Sequence, residues 1–181
     1  AMGSPCRWTA LTTAFAQETG EKKHEPVMVG KDRHLYTWMS GFDKLPDGKD
    51  LGNTHGNVVV DSKGRVYFNT DTERGVCVFS PQGKMIGSWG KEYRGGLHGM
   101  SIRKEGDQEF IYFAHTARGE AVKVTLEGKV VWTIGYPAES GKYKGKNQYR
   151  PTSVVVGPND HVYVADGYGQ SWIHEFDKKR K

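Results

Sequence analysis

Apolar residues in this chain occur in short runs, and turn residues separate one run from the next. Between residues 54 and 90 the runs lie at 58–60, 66–68, 76–79 and 85–90, and the intervening segments carry Asp, Gly and Pro. Short apolar runs with this punctuation are typical of β-strands joined by tight turns. None of the runs shows a 3.6-residue period, so the pattern predicts a four-stranded antiparallel meander rather than paired helices.

The same order of runs and turns occurs three times, over 54–90, 97–135 and 150–181. His55 and His98 stand at equivalent places before the first strand of their repeats, and Thr152 takes that place in the third. A four-stranded unit of about 40 residues has the period of a β-propeller blade. The predicted fold class is therefore all-β, a β-propeller of four-stranded antiparallel blades, with about three to four blades present.

The repeats resemble the NHL family of β-propellers. The resemblance lies in a recurring pattern of a small polar entry, V-V-V-D, x-G-x-V-Y and a V-x-V-F strand, then the turn "PQGK" or "LEGK" and the closing "SWG" or "TIG". The resemblance covers about 54–181 and implies a six-bladed ring. Residues 27–45 alternate like strands and would supply the outer strands of a partial blade near 27–50.

Six blades of this size need roughly 250 residues, more than this chain has. The third repeat stops at Asp177, before its fourth strand. An open propeller exposes raw sheet edges, which favours aggregation. Two explanations stay open: the sequence is part of a longer protein, which we favour, or copies of the chain associate to close the ring.

Charge, cysteine content and apolar run length argue against nucleic-acid binding, a disulfide-based fold and a membrane span. The formal net charge is +5, but Lys178, Lys179, Arg180 and Lys181 supply four of these charges, and the remaining lysines are scattered among acidic residues. Because no basic stripe is visible, nucleic-acid binding is not expected. Two cysteines do not form a disulfide framework. No apolar run approaches the ~18 residues that cross a bilayer, so no membrane span is predicted.

Residues 1–26 read as a leader that precedes the predicted propeller at 27–181. Residues 1–4 are typical of a cloning-vector remnant. An early arginine, a short apolar stretch and Ala14-Phe15-Ala16 follow, and signal peptidases prefer this A-x-A spacing. We therefore expect an exported protein, periplasmic or secreted, with an unstructured leader as the alternative.

The equivalent positions of His55 and His98 indicate a metal site at one rim of the propeller channel. First strands of neighbouring blades lie beside the channel, so the two imidazoles would converge, and neutral imidazole is a common metal ligand. The alternative is structural, because a His-Gly pair in this position can hydrogen-bond the backbone of the next blade.

"LHGMSI" and, one blade later, "VADGYG" are similar to two consecutive blades of the peptidyl-α-hydroxyglycine α-amidating lyase family. The resemblance implies that His98 is a zinc ligand, that the carbonyl of Met100 binds a structural calcium, and that Tyr168 is a catalytic residue. It also implies cleavage of the C–N bond of a carbinolamide. Two departures stand out: Gly169 replaces the cysteine of that family, and the other zinc histidines would lie in blades absent here.

In "DGYG", Gly167 and Gly169 would permit a wide turn that directs the phenol of Tyr168 towards the channel. The alternative is a plain connection between the second and third strands, with Asp166 as an ordinary turn acid. Together the patterns predict a rim site for a divalent metal and a small or peptide-like ligand, with lyase-like chemistry. A non-catalytic propeller scaffold that binds a protein or peptide is the competing hypothesis.

Overall fold

The computed structural model describes residues 27–38 and 45–181 in two compact units, Ala1–Ser40 and Gly41–Lys181. In the first unit, β1 (Val27–Lys31) and β2 (His34–Trp38) form an antiparallel hairpin in which Val27 pairs with Trp38. The strand-like alternation of this segment is thus a real hairpin, and its membership of a blade stays a prediction. The expectations for 1–26 lie outside the described residues.

The second unit consists of three antiparallel sheets, one for each predicted repeat. The first sheet contains β3 (Val59–Val60), β4 (Val66–Asn69), β5 (Val76–Phe79) and β6 (Met85–Trp89). The second contains β7 (Leu97–Glu105), β8 (Gln108–His115), β9 (Glu120–Thr125) and β10 (Val130–Ile134). The third contains β11 (Ser153–Val156), β12 (Val162–Ala165) and β13 (Ile173–Phe176), and no fourth strand follows within 45–181.

The predicted fold class is confirmed: the chain is all-β and its repeats are propeller-type meanders in which each strand pairs with the next. Between 45 and 181, helix is confined to three single 3-10 turns, Lys91–Tyr93, Ala138–Ser140 and Lys146–Gln148. No helix in the described part of the chain is long or apolar enough to cross a membrane.

The hydrophobic cores lie between neighbouring sheets. Strand β8 shows why: Ile111 and Phe113 point into the cluster shared with the first sheet, whereas Tyr112 belongs to the cluster shared with the third. Successive side chains of a strand face opposite sides, so a blade packed on both faces has apolar residues at consecutive positions. Strand β8 is accordingly apolar at every position from Phe110 to Ala114.

Sheet stacking brings the first strands together, because β7 contacts both β3 and β11.

The segment before β11 is less solvated than its lysines suggest. The mixture of lysine, glycine and tyrosine in 142–150 indicates a solvated loop between blades, and this expectation is wrong for Tyr149, which is 2% exposed and packs in the cluster between the second and third sheets. Lysines cover its outer face while the aromatic rings turn inward.

Candidate functional site

His98 lies in an irregularity of β7. Leu97 pairs with His115 and Met100 pairs with Phe113, so two residues of β7, His98 and Gly99, face one residue of β8. This is the arrangement of a β-bulge, which interrupts the alternation of side chains and redirects one of them. The imidazole therefore leaves the sheet surface and lies at the end of β7 where the neighbouring repeat begins.

One hydrogen bond fixes the imidazole of His98, and a second one fixes the main chain beside it. Its Nδ1 lies 2.9 Å from the carbonyl oxygen of Thr152, and the N–H of Gly99 donates to the same oxygen at 2.8 Å. A carbonyl oxygen only accepts, so Nδ1 carries the proton and Nε2 of the neutral ring keeps its lone pair. Gly99 is required for this approach, because a Cβ there would lie 2.6 Å from the Thr152 oxygen.

Tyr168 is the partner of the free nitrogen. Its hydroxyl oxygen lies 3.3 Å from His98 Nε2, so the phenol O–H donates to that lone pair. The two rings meet edge to face, with centroids 5.1 Å apart. The side chain of Tyr168 is 60% exposed, so the hydroxyl is accessible to a ligand. The two side chains come from different sheets, and their contact is made only in the folded chain.

The "DGYG" stretch is both a strand connection and part of the site. It joins β12 to β13, as the plainer interpretation required, and it also brings Tyr168 to His98. A Cβ at Gly167 would lie 2.4 Å from Thr152 Oγ1, and one at Gly169 would lie 2.1 Å from Asp166 Oδ1. Both glycines are therefore needed because the loop passes too close to its neighbours for any side chain.

The structure places the other predicted site residues unequally. His55 is exposed and its ring stacks on His98, with centroids 5.9 Å apart and planes 25° apart. Met100 is 1% exposed, and its side chain belongs to the core between the first two sheets. His55, His98 and Tyr168 thus form one cluster, which we call the rim cluster. Because its side chain is buried in the core, Met100 has only its backbone carbonyl available as a ligand for an ion.

Sequence reasoning missed three residues that support the rim cluster. Asn69 Nδ2 donates to the carbonyl of His98 at 2.6 Å, which anchors the bulge to the first sheet. Tyr143 hydroxyl lies 2.9 Å from Asp166 Oδ2 and 2.6 Å from His174 Nε2. No local sequence signal marks these contacts, although Asp166 was visible as a turn acid. All of them join segments that are distant along the chain.

Burial sets the protonation of this supporting network. Desolvation lowers the pKa of His174, partly offset by the nearby Asp166, so the imidazole is neutral at physiological pH. Burial, the hydrogen bond to Asp166 and the charge of that carboxylate raise the pKa of Tyr143 well above its usual value. The Tyr143 hydroxyl therefore keeps its proton and donates it to Asp166, and His174 Nε2–H donates to the hydroxyl oxygen.

A sequence-family model of the NHL repeat matches residues 149–176, which contain β11, β12, β13 and Tyr168. The chain carries an NHL repeat. The predicted resemblance to NHL propellers is confirmed by this match. A relative from Caenorhabditis elegans, described as a probable peptidyl-alpha-hydroxyglycine alpha-amidating lyase (pgal-1), is 27% identical over 180 residues, which cover 90% of this chain. The chain spans about half of that relative, since the alignment covers 50% of its length.

Among solved structures, a Bacteroides caccae protein of unknown function matches with a TM-score of 0.53 and 14% identity, over 71% of this chain and 47% of that one. This match supports the fold alone. A virginiamycin B lyase from Staphylococcus aureus matches with a TM-score of 0.48 and 16% identity, over 71% of this chain and 42% of that one. That similarity is too low to bear on fold or function.

Proposed function

We propose that the rim cluster binds a divalent zinc ion and a small or peptide-like ligand, and that its chemistry is amidating-lyase-like cleavage of a C–N bond. The observation that carries this proposal is the 3.3 Å contact between the hydroxyl of Tyr168 and Nε2 of His98. It joins a metal-ligand type and a proton-transfer group at one exposed point. The similarity to the amidating lyase relative supports the same reaction class.

The residues of the cluster fit a zinc ion in one important respect. A metal-binding histidine typically donates its other ring N–H to a carbonyl or carboxylate, which orients the ring, and His98 does this through Nδ1 to Thr152. His55 could add a second imidazole if its ring turned from the stacked position. Catalytic zinc usually has three protein ligands, and no group of three metal-binding side chains occurs within 27–38 and 45–181.

The role of Tyr168 follows from its position. The chemistry that zinc would supply is polarisation of the hydroxyl of a bound carbinolamide. The anion of the phenol would be favoured beside a divalent cation, and Tyr168 Oη would then accept the proton of that hydroxyl. As the carbon–oxygen bond becomes a carbonyl, the C–N bond breaks and its electron pair goes to nitrogen, which takes up a proton. The products are an amide and an aldehyde, which is glyoxylate when the substrate is a peptidyl-α-hydroxyglycine.

The calcium expected at Met100 stays a prediction. Calcium takes six to eight oxygen ligands, and Met100 would contribute a single carbonyl. Its side chain packs in the core, so replacing it would test packing rather than metal binding. Zinc binding by the rim cluster therefore tests the proposed metal site better than calcium binding at Met100 does.

Titration of zinc into the metal-free chain, measured by calorimetry, tests the proposal. His98→Ala should weaken zinc affinity by more than the roughly 10–100-fold that loss of an outer-shell partner costs. His161→Ala is the matched control, because His161 lies in a turn beside Glu175, away from the rim cluster. Equal zinc affinity in the wild-type chain and the His98→Ala variant would refute the ligand assignment.

The competing function is a scaffold that binds a peptide without turnover. Its support is the exposure of two aromatic side chains of one loop, Tyr168 and Trp172, since aromatic residues are enriched in interfaces. Release of glyoxylate from a peptidyl-α-hydroxyglycine separates the two functions. Tyr168→Phe should abolish it in the lyase. Zinc binding without glyoxylate release would favour the scaffold.

A further inference from the structure

The carboxyl group of Asp166 is completely buried. Its Oδ1 accepts the N–H of Arg150 at 2.6 Å, and its Oδ2 accepts the N–H of Gln170 at 2.7 Å and the hydroxyl of Tyr143 at 2.9 Å. Burial of a charge is costly unless hydrogen bonds compensate for the lost water. Three donors directed at one carboxylate therefore form a built arrangement rather than a chance contact.

These bonds close the loop that carries Tyr168. Gln170 follows Tyr168 in the loop, whereas Arg150 lies in the segment before β11. The carbonyl of Arg150 accepts the N–H of Tyr168 at 3.3 Å, and the N–H of Ser171 donates to the carbonyl of Asp166 at 3.0 Å. The main chain is thus tied down at Tyr168 itself and on its C-terminal side. Asp166 is the common acceptor of most of these ties.

We propose that Asp166 is a positioning residue that holds the Tyr168 hydroxyl against His98 Nε2. Its catalytic meaning rests on the proposed function, but the positioning itself is a property of the metal-free chain. Asp166 acts through the main chain of the loop, because its acceptor atoms bind backbone N–H groups and Tyr143. Loss of the carboxylate would leave the sheet strands paired and release the loop.

Tyr143 extends this arrangement to the third strand of the sheet. Its hydroxyl donates to Asp166 and accepts from His174 of β13, so the carboxylate is connected to a neutral imidazole through one phenol. Removing that hydroxyl takes away one of three donors and leaves both backbone donors in place. Tyr143→Phe should therefore loosen the loop less than a change at Asp166 does.

The test is the nuclear Overhauser effect between the rings of Tyr168 and His98, measured on the metal-free chain with labelled tyrosine and histidine. In Asp166→Asn, the NH2 group must face either the Arg150 N–H or the Gln170 N–H, which places donor against donor. We expect loss of the ring-to-ring signal and unchanged amide signals in the first two sheets. Asp71→Asn is the control, because Asp71 is a turn acid of the first repeat that binds Asn53.

A preserved ring-to-ring signal in Asp166→Asn would overturn the proposal, and so would its absence in the wild-type chain. A purely structural role for Asp166 would lower stability without moving this signal. If Asp166→Asn does not fold, Tyr143→Phe decides: a weakened signal supports positioning, and an unchanged signal overturns it. Because no metal is present, failure of zinc binding leaves this result standing, and failure here leaves the zinc titration standing.

Discussion

Replacing Gly169 with alanine tests whether the Tyr168 loop is as tightly packed as it looks. A Cβ at this position would lie 2.1 Å from Asp166 Oδ1 and 2.2 Å from the backbone oxygen of Gln148. Neither atom can retreat easily, because the carboxylate is held by its hydrogen bonds and the carbonyl belongs to the main chain. The loop itself must therefore move.

The structure sets the size of the effect. Forcing an extra methyl group into a well-packed place usually costs about 1–3 kcal/mol. An alanine also reduces the freedom of the unfolded chain, which returns about 0.4–1 kcal/mol at positions that tolerate it. Relative to alanine at a glycine that tolerates it, we expect the free energy of unfolding of Gly169→Ala to be lower by about 1–3 kcal/mol, because the unfolded-chain gain is common to both variants.

Urea unfolding followed by tryptophan fluorescence measures this change by linear extrapolation. Gly135→Ala is the matched control, because a Cβ there meets nothing within 4 Å and its φ is not in the left-handed region. The control should be neutral or slightly stabilising. If Gly169→Ala is no less stable than Gly135→Ala, the close approach of Gly169 to Asp166 and Gln148 does not exist and the reasoning on the loop fails.

Two further predictions concern buried groups of the first sheet. Burial favours a raised pKa for Asp61, but hydrogen bonds and charge from Arg65 outweigh it and hold the pKa below its ordinary value. The stabilisation from this carboxylate is therefore complete above the unfolded pKa of about 3.9 and is lost as pH falls through the lower folded pKa. Unfolding of Asp61→Asn should show a deficit of about 1.5–3 kcal/mol near neutral pH that shrinks in acid, and a deficit independent of pH would contradict this. Burial raises the pKa of Cys77 to about 11, so iodoacetamide should not label this thiol at about pH 8 unless urea is added. Peptide mass spectrometry that finds Cys77 labelled quickly in the native chain would disprove its burial.

The strands were predictable because their signals are local. Runs such as 66–68 and 76–79 carry their apolar residues and turn punctuation within a few positions, and the strands β4 and β5 lie where those runs predict them. The bulge at His98 and Gly99 was not predictable. It depends on the pairing of Leu97 with His115 across the sheet, and a sequence without coordinates does not give that register.

The rim cluster was predictable only in part. The equivalent positions of His55 and His98 implied that they would meet, and their rings do stack. The contacts among Tyr143, Asp166 and His174 escaped notice, because the lysines around Tyr143 indicated a solvated loop. Residues whose partners lie far away along the chain carry no mark of that partnership in their own neighbourhood.

The sharing of each hydrophobic cluster between two sheets has a consequence for how the second unit opens. The sheet of β7–β10 is covered on both faces, whereas each outer sheet of the described repeats shares a large cluster with it on one face. Energies in such arrays add between nearest neighbours. Opening of one outer sheet therefore exposes one face of the central sheet and leaves the other cluster intact, whereas opening of the central sheet disrupts both clusters at once. The rim cluster, built where these sheets meet, is only as durable as that central layer.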